Sequence, residues 1–84
     1  MIHELKILPE YYEKVLLNIK QFEVRKNDRN YQEGDWLRLN EWDGEYTGRS
    51  CMRYVAYMLK DFEGLAEGYC VMGLKRSAPN VTLD

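Results

Sequence analysis

The sequence predicts a small mixed α+β domain, mostly β: a barrel of about five strands with one helix near its start. Three observations carry this expectation. Apolar residues recur at helical spacing in a single stretch near the N-terminus. Elsewhere they alternate with polar residues in short runs. Turn-forming pairs and clusters punctuate each run.

The elements follow in order. Ile2 to Leu8 reads as a short strand with Leu5 and Ile7 turned inward. Pro9 then suits the first position of a helix, and Glu10 and Glu13 place negative charge where the helix dipole favours it. Tyr12, Val15, Leu16 and Ile19 fall at i, i+3, i+4 and i+7, which predicts a helix over Pro9–Ile19 with that face buried. The period changes in Gln21-Phe22-Glu23-Val24-Arg25, where alternation predicts a strand with Phe22 and Val24 on one side and Glu23 and Arg25 on the other. The Asn27–Asn30 cluster and Glu33-Gly34-Asp35 are turns. They enclose Tyr31 and launch a strand over Trp36–Trp42, with Leu37 and Leu39 opposite Trp36, Arg38 and Trp42. Asp43-Gly44 is the strongest hairpin signal in the chain. Cys51–Leu59 is the longest strand candidate, with Cys51, Arg53, Val55, Tyr57 and Leu59 sharing a face. Asp61–Gly68 reads as loop, Tyr69–Leu74 as a last buried strand, and 77–84 as a loose tail, leaving 1–76 as one domain.

Composition bounds what such a domain can do. At 84 residues it holds one core and no second domain, and a chain of this size buries about 60–65% of its unfolded surface. With 45% hydrophobic and 31% charged residues it is globular in composition rather than disordered. Its formal charge of −2 means that it cannot attract a polyanion by overall charge, so any nucleic-acid site has to be a local basic pocket. No apolar run approaches the roughly 18 residues of a membrane span, and no secretory leader is visible at Met1–Lys6. Cys51 and Cys70 form no CxxC pair and His3 stands alone, which argues against a metal site and for reduced thiols in a cytoplasmic protein. No membrane partner, metal or cofactor is expected.

The residues that stand out lie in one short stretch. Lys20, Arg25, Lys26 and Arg29 occur within ten positions, against Glu23 and Asp28. On a strand, Glu23 and Arg25 share a face and lie within ion-pair reach. Arg offers a planar fork for a phosphate or a base edge, Lys a point charge, and Glu an acceptor for a ligand donor. The same pattern also describes a solvated strand face whose ion pairs contribute about 0–1 kcal/mol each.

Pro9-Glu10-Tyr11-Tyr12, the run Lys20-Gln21-Phe22-Glu23-Val24-Arg25-Lys26-Asn27-Asp28-Arg29, Gly34-Asp35, Tyr46-Thr47-Gly48-Arg49 and Gly68-Tyr69 together resemble ASCH-like domains of the PUA superfamily. The match is nearest to a group of short bacterial and phage ASCH-like domains, and it extends from about Leu5 to Leu74. The resemblance implies a PUA-like β-barrel with a helix between its first two strands, a cleft beside that helix and the second strand, and a role in RNA metabolism. It makes Lys20, Glu23, Arg25, Lys26 and Arg29 the expected RNA- or nucleotide-binding residues, with Tyr46, Thr47, Arg49 and Arg53 joining the same cleft. Tyr31, Trp36 and Trp42 are candidate stacking platforms, Trp42 being the one expected to be most exposed.

Two other functions stand beside RNA or nucleotide binding. Some members of the wider ASCH group are amidohydrolases that deacetylate a modified cytidine with a Lys, a Thr and a distal Glu. Lys20 matches that Lys, but Glu23 stands where the Thr would be, which removes the hydroxyl nucleophile. A Lys20–Glu23 pair that activates water is the form hydrolysis could still take. The third possibility is a protein-interaction module with no small ligand.

Overall fold

The computed structural model describes residues 1–79 of the chain. Its elements are β1 (Ile2–Ile7), α1 (Pro9–Leu16), β2 (Phe22–Lys26), β3 (Trp36–Trp42), β4 (Tyr46–Lys60) and β5 (Tyr69–Lys75). The strands form one sheet in the order β1-β3-β4-β5-β2. β1 runs parallel to β3, and every other pair is antiparallel. The sheet curls into a half-barrel with α1 against β3, a mostly β, mixed α+β fold as its periodicity predicts. The first two strands are therefore its two edges. They run in opposite senses, face each other across an open seam, and are joined in sequence by the helix.

The core fills the hollow of the sheet. Leu5 and Ile7 of β1, Leu37 and Leu39 of β3, Val55 of β4, and Cys70, Met72 and Leu74 of β5 all turn inward, and Tyr12 and Val15 of α1 close over them. The parallel β1–β3 pair needs a long crossover, which α1, β2 and the following turns supply. A buried polar contact pins its start: His3 Nε2 donates to Asp35 Oδ2 at 2.7 Å, and the Gln32 N–H donates to the same oxygen at 3.0 Å. The Tyr31 ring meets His3 edge-on at 4.7 Å. Tyr31 is thus a core residue, not a platform.

Three local expectations are corrected. Helix α1 stops at Leu16 rather than Ile19. Asn18 adopts φ 60°, and the Ile19 and Lys20 N–H groups both bond back to the Lys14 carbonyl. That left-handed residue ends the helix, so Ile19, placed on the buried face by spacing, is 63% exposed. β4 runs from Tyr46 to Lys60, well beyond Cys51–Leu59. Its ladder with β5 also slips between Val55 and Tyr57. The extra residue, Ala56, reverses the alternation: Met58 packs on the core and Tyr57 faces out. The hairpin at Asp43-Gly44 forms as its residues require, with Gly44 at φ 80°. Of the tail expected over 77–84, positions 80–84 lie outside the described residues.

Candidate functional site

β2 inverts the usual relation between hydrophobicity and burial. Glu23 and Arg25 pair with Met72 and Cys70, the inward residues of β5, whereas Phe22 and Val24 pair with the outward Gly73 and Val71. Glu23 is 3% exposed, while Phe22 and Val24 are 47% and 48% exposed. A one-residue change of register would bury the apolar pair and expose the charges. The chain instead places a carboxylate in the interior, at the open edge of the sheet, and surrounds it with donors. Lys20 Nζ contacts Glu23 Oε1, and Arg25 Nε donates to Glu23 Oε2 at 2.7 Å. Helix termination makes the first contact possible, since the Asn18 turn delivers Lys20 to the mouth of the seam.

Arg25 also reaches across the seam, a terminal guanidinium nitrogen donating to the Lys6 carbonyl at 2.7 Å. Arg29 does the same to the Glu4 carbonyl. These two carbonyls belong to the unpaired edge of β1, so arginine side chains stand in for the ladder that β1 and β2 do not form. Above this clasp a cleft of about 550 Å³ opens. Lys6, Ile7 and Leu8 form one wall, Phe22, Glu23, Val24 and Arg25 the other, and Tyr11 and Lys20 lie at the helix end. Three cations (Lys6, Lys20, Arg25) therefore share a hollow with one carboxylate, an excess of two positive charges in a chain of net −2. The Tyr11 and Phe22 rings are about half exposed, and Lys20 Nζ lies 5.8 and 5.0 Å from their centroids.

The other expected residues fall elsewhere. Lys26 ends β2 on the outward side, opposite Tyr69. Arg29 is spent on the seam. Thr47 and Arg49 belong to a second cluster around the buried Glu41: Thr47 Oγ1 donates to Glu41 Oε1 at 2.7 Å, and Arg49 grips both carboxylate oxygens at 3.0 and 3.1 Å. Arg49 also contacts Glu13 and stacks over the Tyr12 ring at 4.8 Å, tying the β3–β4 hairpin to α1. These contacts hold the Glu41 carboxyl below its ordinary range, and the two carboxylates raise the Arg49 value. Arg53 is buried and donates to the Val15 carbonyl at 3.2 Å, satisfying the end of α1 with help from Arg76 on Leu16. Trp36 and Trp42 are both half-buried, while Tyr46 is 58% exposed beside a smaller hollow of about 310 Å³.

Sequence reasoning missed Lys6, Tyr11 and Phe22 as cleft residues. Lys6 was legible only as an outward position of β1, and its role follows from β1 and β2 being the two edges that face each other.

The comparisons with known proteins place the chain as a whole. A protein of Escherichia phage P2, described as "Uncharacterized 12.9 kDa protein in GpA 3′region", is 51% identical over 49 residues. That stretch is 57% of this chain and 45% of the phage protein, so the match spans less than half of that relative's length. The family described as "Domain of unknown function (DUF3850)" matches residues 2–74, from the start of β1 to the penultimate residue of β5. The chain belongs to the DUF3850 family.

Proposed function

We propose that the domain binds RNA or a nucleotide, and that the seam cleft between β1 and β2 is where it does so. The carrying observation is the inward-facing, buried Glu23, held between Lys20 and Arg25 in a hollow that also contains Lys6, Tyr11 and Phe22. Net positive charge suits a phosphate, half-exposed rings suit the face of a base, and a fixed carboxylate suits exocyclic or ring N–H donors. The resemblance of this segment to ASCH-like, PUA-type domains supports the same reading.

Lys6 and Tyr11 are the cleanest probes, because among the described residues Lys6 has no carboxylate partner and Tyr11 is half exposed. Titration of nucleoside monophosphates and short RNA oligonucleotides at low salt should show binding that Lys6→Ala weakens on the order of tenfold, with the salt slope reduced by about one. Tyr11→Ala should cost a similar factor through lost stacking. Absence of binding by every probe, or affinity indifferent to both substitutions, refutes the proposal and favours a protein-interaction module.

The Lys20–Glu23 contact favours hydrolysis of an acylated nucleoside as a second reading, with the pair handling the proton of an attacking water. It predicts acetate release from acetylcytidine, abolished by Lys20→Ala. No release at high protein concentration eliminates that reaction.

A further inference from the structure

We infer that a second base-binding position lies at the β3–β4 hairpin, joined to the seam cleft through Lys6, so that the ligand is a single-stranded oligonucleotide rather than a free nucleotide. This rests on the reading of the cleft given above and extends it to a ligand class. The two hollows are adjacent because Lys6 belongs to both neighbourhoods: it lines the cleft, and its Nζ lies 3.9 Å from the Trp42 ring centroid and 5.7 Å from that of Tyr46.

The hairpin hollow has the chemistry of a base pocket and not of a phosphate pocket. Tyr46 is 58% exposed and packs in a T-shaped arrangement with Trp42 at 5.1 Å. Asn40, Ser50 and Gly48 line the same hollow and offer an amide carbonyl, a hydroxyl and bare backbone to a base edge, the Asn40 amide nitrogen being already bonded to Glu4 and to backbone carbonyls. Its charges are already balanced: Glu4 is paired with Arg38 at 2.9 Å and accepts from Asn40 at 3.0 Å, and Arg49 is committed to Glu41 and Glu13. Phosphate attraction must then come from the cation between the hollows. Among the described residues Lys6 is held there by ring faces and by no acid, an attraction that leaves its charge unneutralised for an anion. One base in the cleft, a phosphate on Lys6 and the next base on Tyr46 is the arrangement that uses all three.

The test is the ratio of dinucleotide to mononucleotide affinity, using diadenosine and dicytidine ribonucleotides against the corresponding monophosphates. The wild type should prefer the dinucleotide by on the order of tenfold, the effect of one stacked base. In Tyr46→Ala the ratio should fall to about one, and in Tyr46→Phe, which keeps the ring, it should return. A wild-type ratio near one overturns the inference while leaving the cleft reading intact. So does a ratio that survives Tyr46→Ala. If dinucleotides bind in a Tyr46-dependent way but Tyr11→Ala leaves their affinity unchanged, the cleft reading fails and the hairpin position stands. If neither mononucleotides nor dinucleotides bind, both readings fail and a protein partner takes their place.

Discussion

Replacing Arg25 by Ala tests the seam most directly, because the structure makes this side chain structural as well as cationic. Its Nε donates to the buried Glu23 and a terminal nitrogen donates to the Lys6 carbonyl, each at 2.7 Å. Hydrogen bonds involving a charged group contribute about 1.5–3 kcal/mol each. The side chain is 28% exposed, so solvent weakens both, and Glu23 retains Lys20 after the substitution. A loss of about 2–3 kcal/mol follows, out of the ~4–13 kcal/mol that an 84-residue domain commands. At about 4–8 °C per kcal/mol for a domain of this size, Tm should fall by about 8–24 °C. Arg25→Lys should recover only part of it, since one ammonium cannot reproduce a fork spanning two strands. Thermal and urea unfolding followed by tryptophan fluorescence provides the measurement. A Tm within about 2 °C of the wild type would mean that β1 and β2 need no clasp, and would refute the seam argument. The result also decides how binding data are read: affinity lost in Arg25→Ala must be corrected for the unfolded fraction, whereas affinity lost in Lys6→Ala need not be.

Two further outcomes check the fold around the site. Burial raises the Asp35 value, but the hydrogen bonds from His3 and the Gln32 N–H, with the nearby N-terminal ammonium, outweigh it and leave the carboxyl below its ordinary range. The unfolded chain then takes up a proton first as pH falls, so this contribution is present above about pH 4 and is lost on further acidification through the depressed folded value. Urea unfolding from pH 7 to pH 3 should show a steeper acid limb in the wild type than in Asp35→Asn, and parallel curves would exclude the assignment. Ile19→Lys should change stability by no more than about 0.5 kcal/mol, because the helix ends before it, whereas Val15→Ala, in the core at 1% exposure, should cost about 1–3 kcal/mol. Comparable losses at both positions would mean that α1 continues to Ile19 in solution.

The chain's local signals set out nearly every element. Pro9 with the Tyr12–Val15 spacing places α1, Asp43-Gly44 places the hairpin, and alternation places β1, β3 and β5 to within a residue or two. Such features depend on contacts a few residues apart, which a sequence states explicitly. The candidate site was legible in part for the same reason: Glu23 and Arg25 share a strand face, Lys20 lies three residues before Glu23, and the three do meet. Thr47 and Arg49 were grouped with them through the resemblance that Tyr46-Thr47-Gly48-Arg49 helps to carry. The fold gives these two to Glu41, which the alternation of β3 places on the inward face with Leu37 and Leu39, but whose partners on β4 only the sheet brings to it.

What the sequence by itself determined is the inventory of strands, the helix, the turns and the position of the unusual charge cluster, all consequences of short-range periodicity and turn chemistry. Tertiary structure decided which face of β2 looks inward, where the Ala56 bulge turns β4 over, and that β1 and β2 end up as facing edges. Alternation in a strand is symmetric between its two faces, and only the neighbours across the sheet break that symmetry. Here Met72 and Cys70 behind β2, and the open carbonyls of β1 beside it, turn Glu23 and Arg25 into the lining of a cleft.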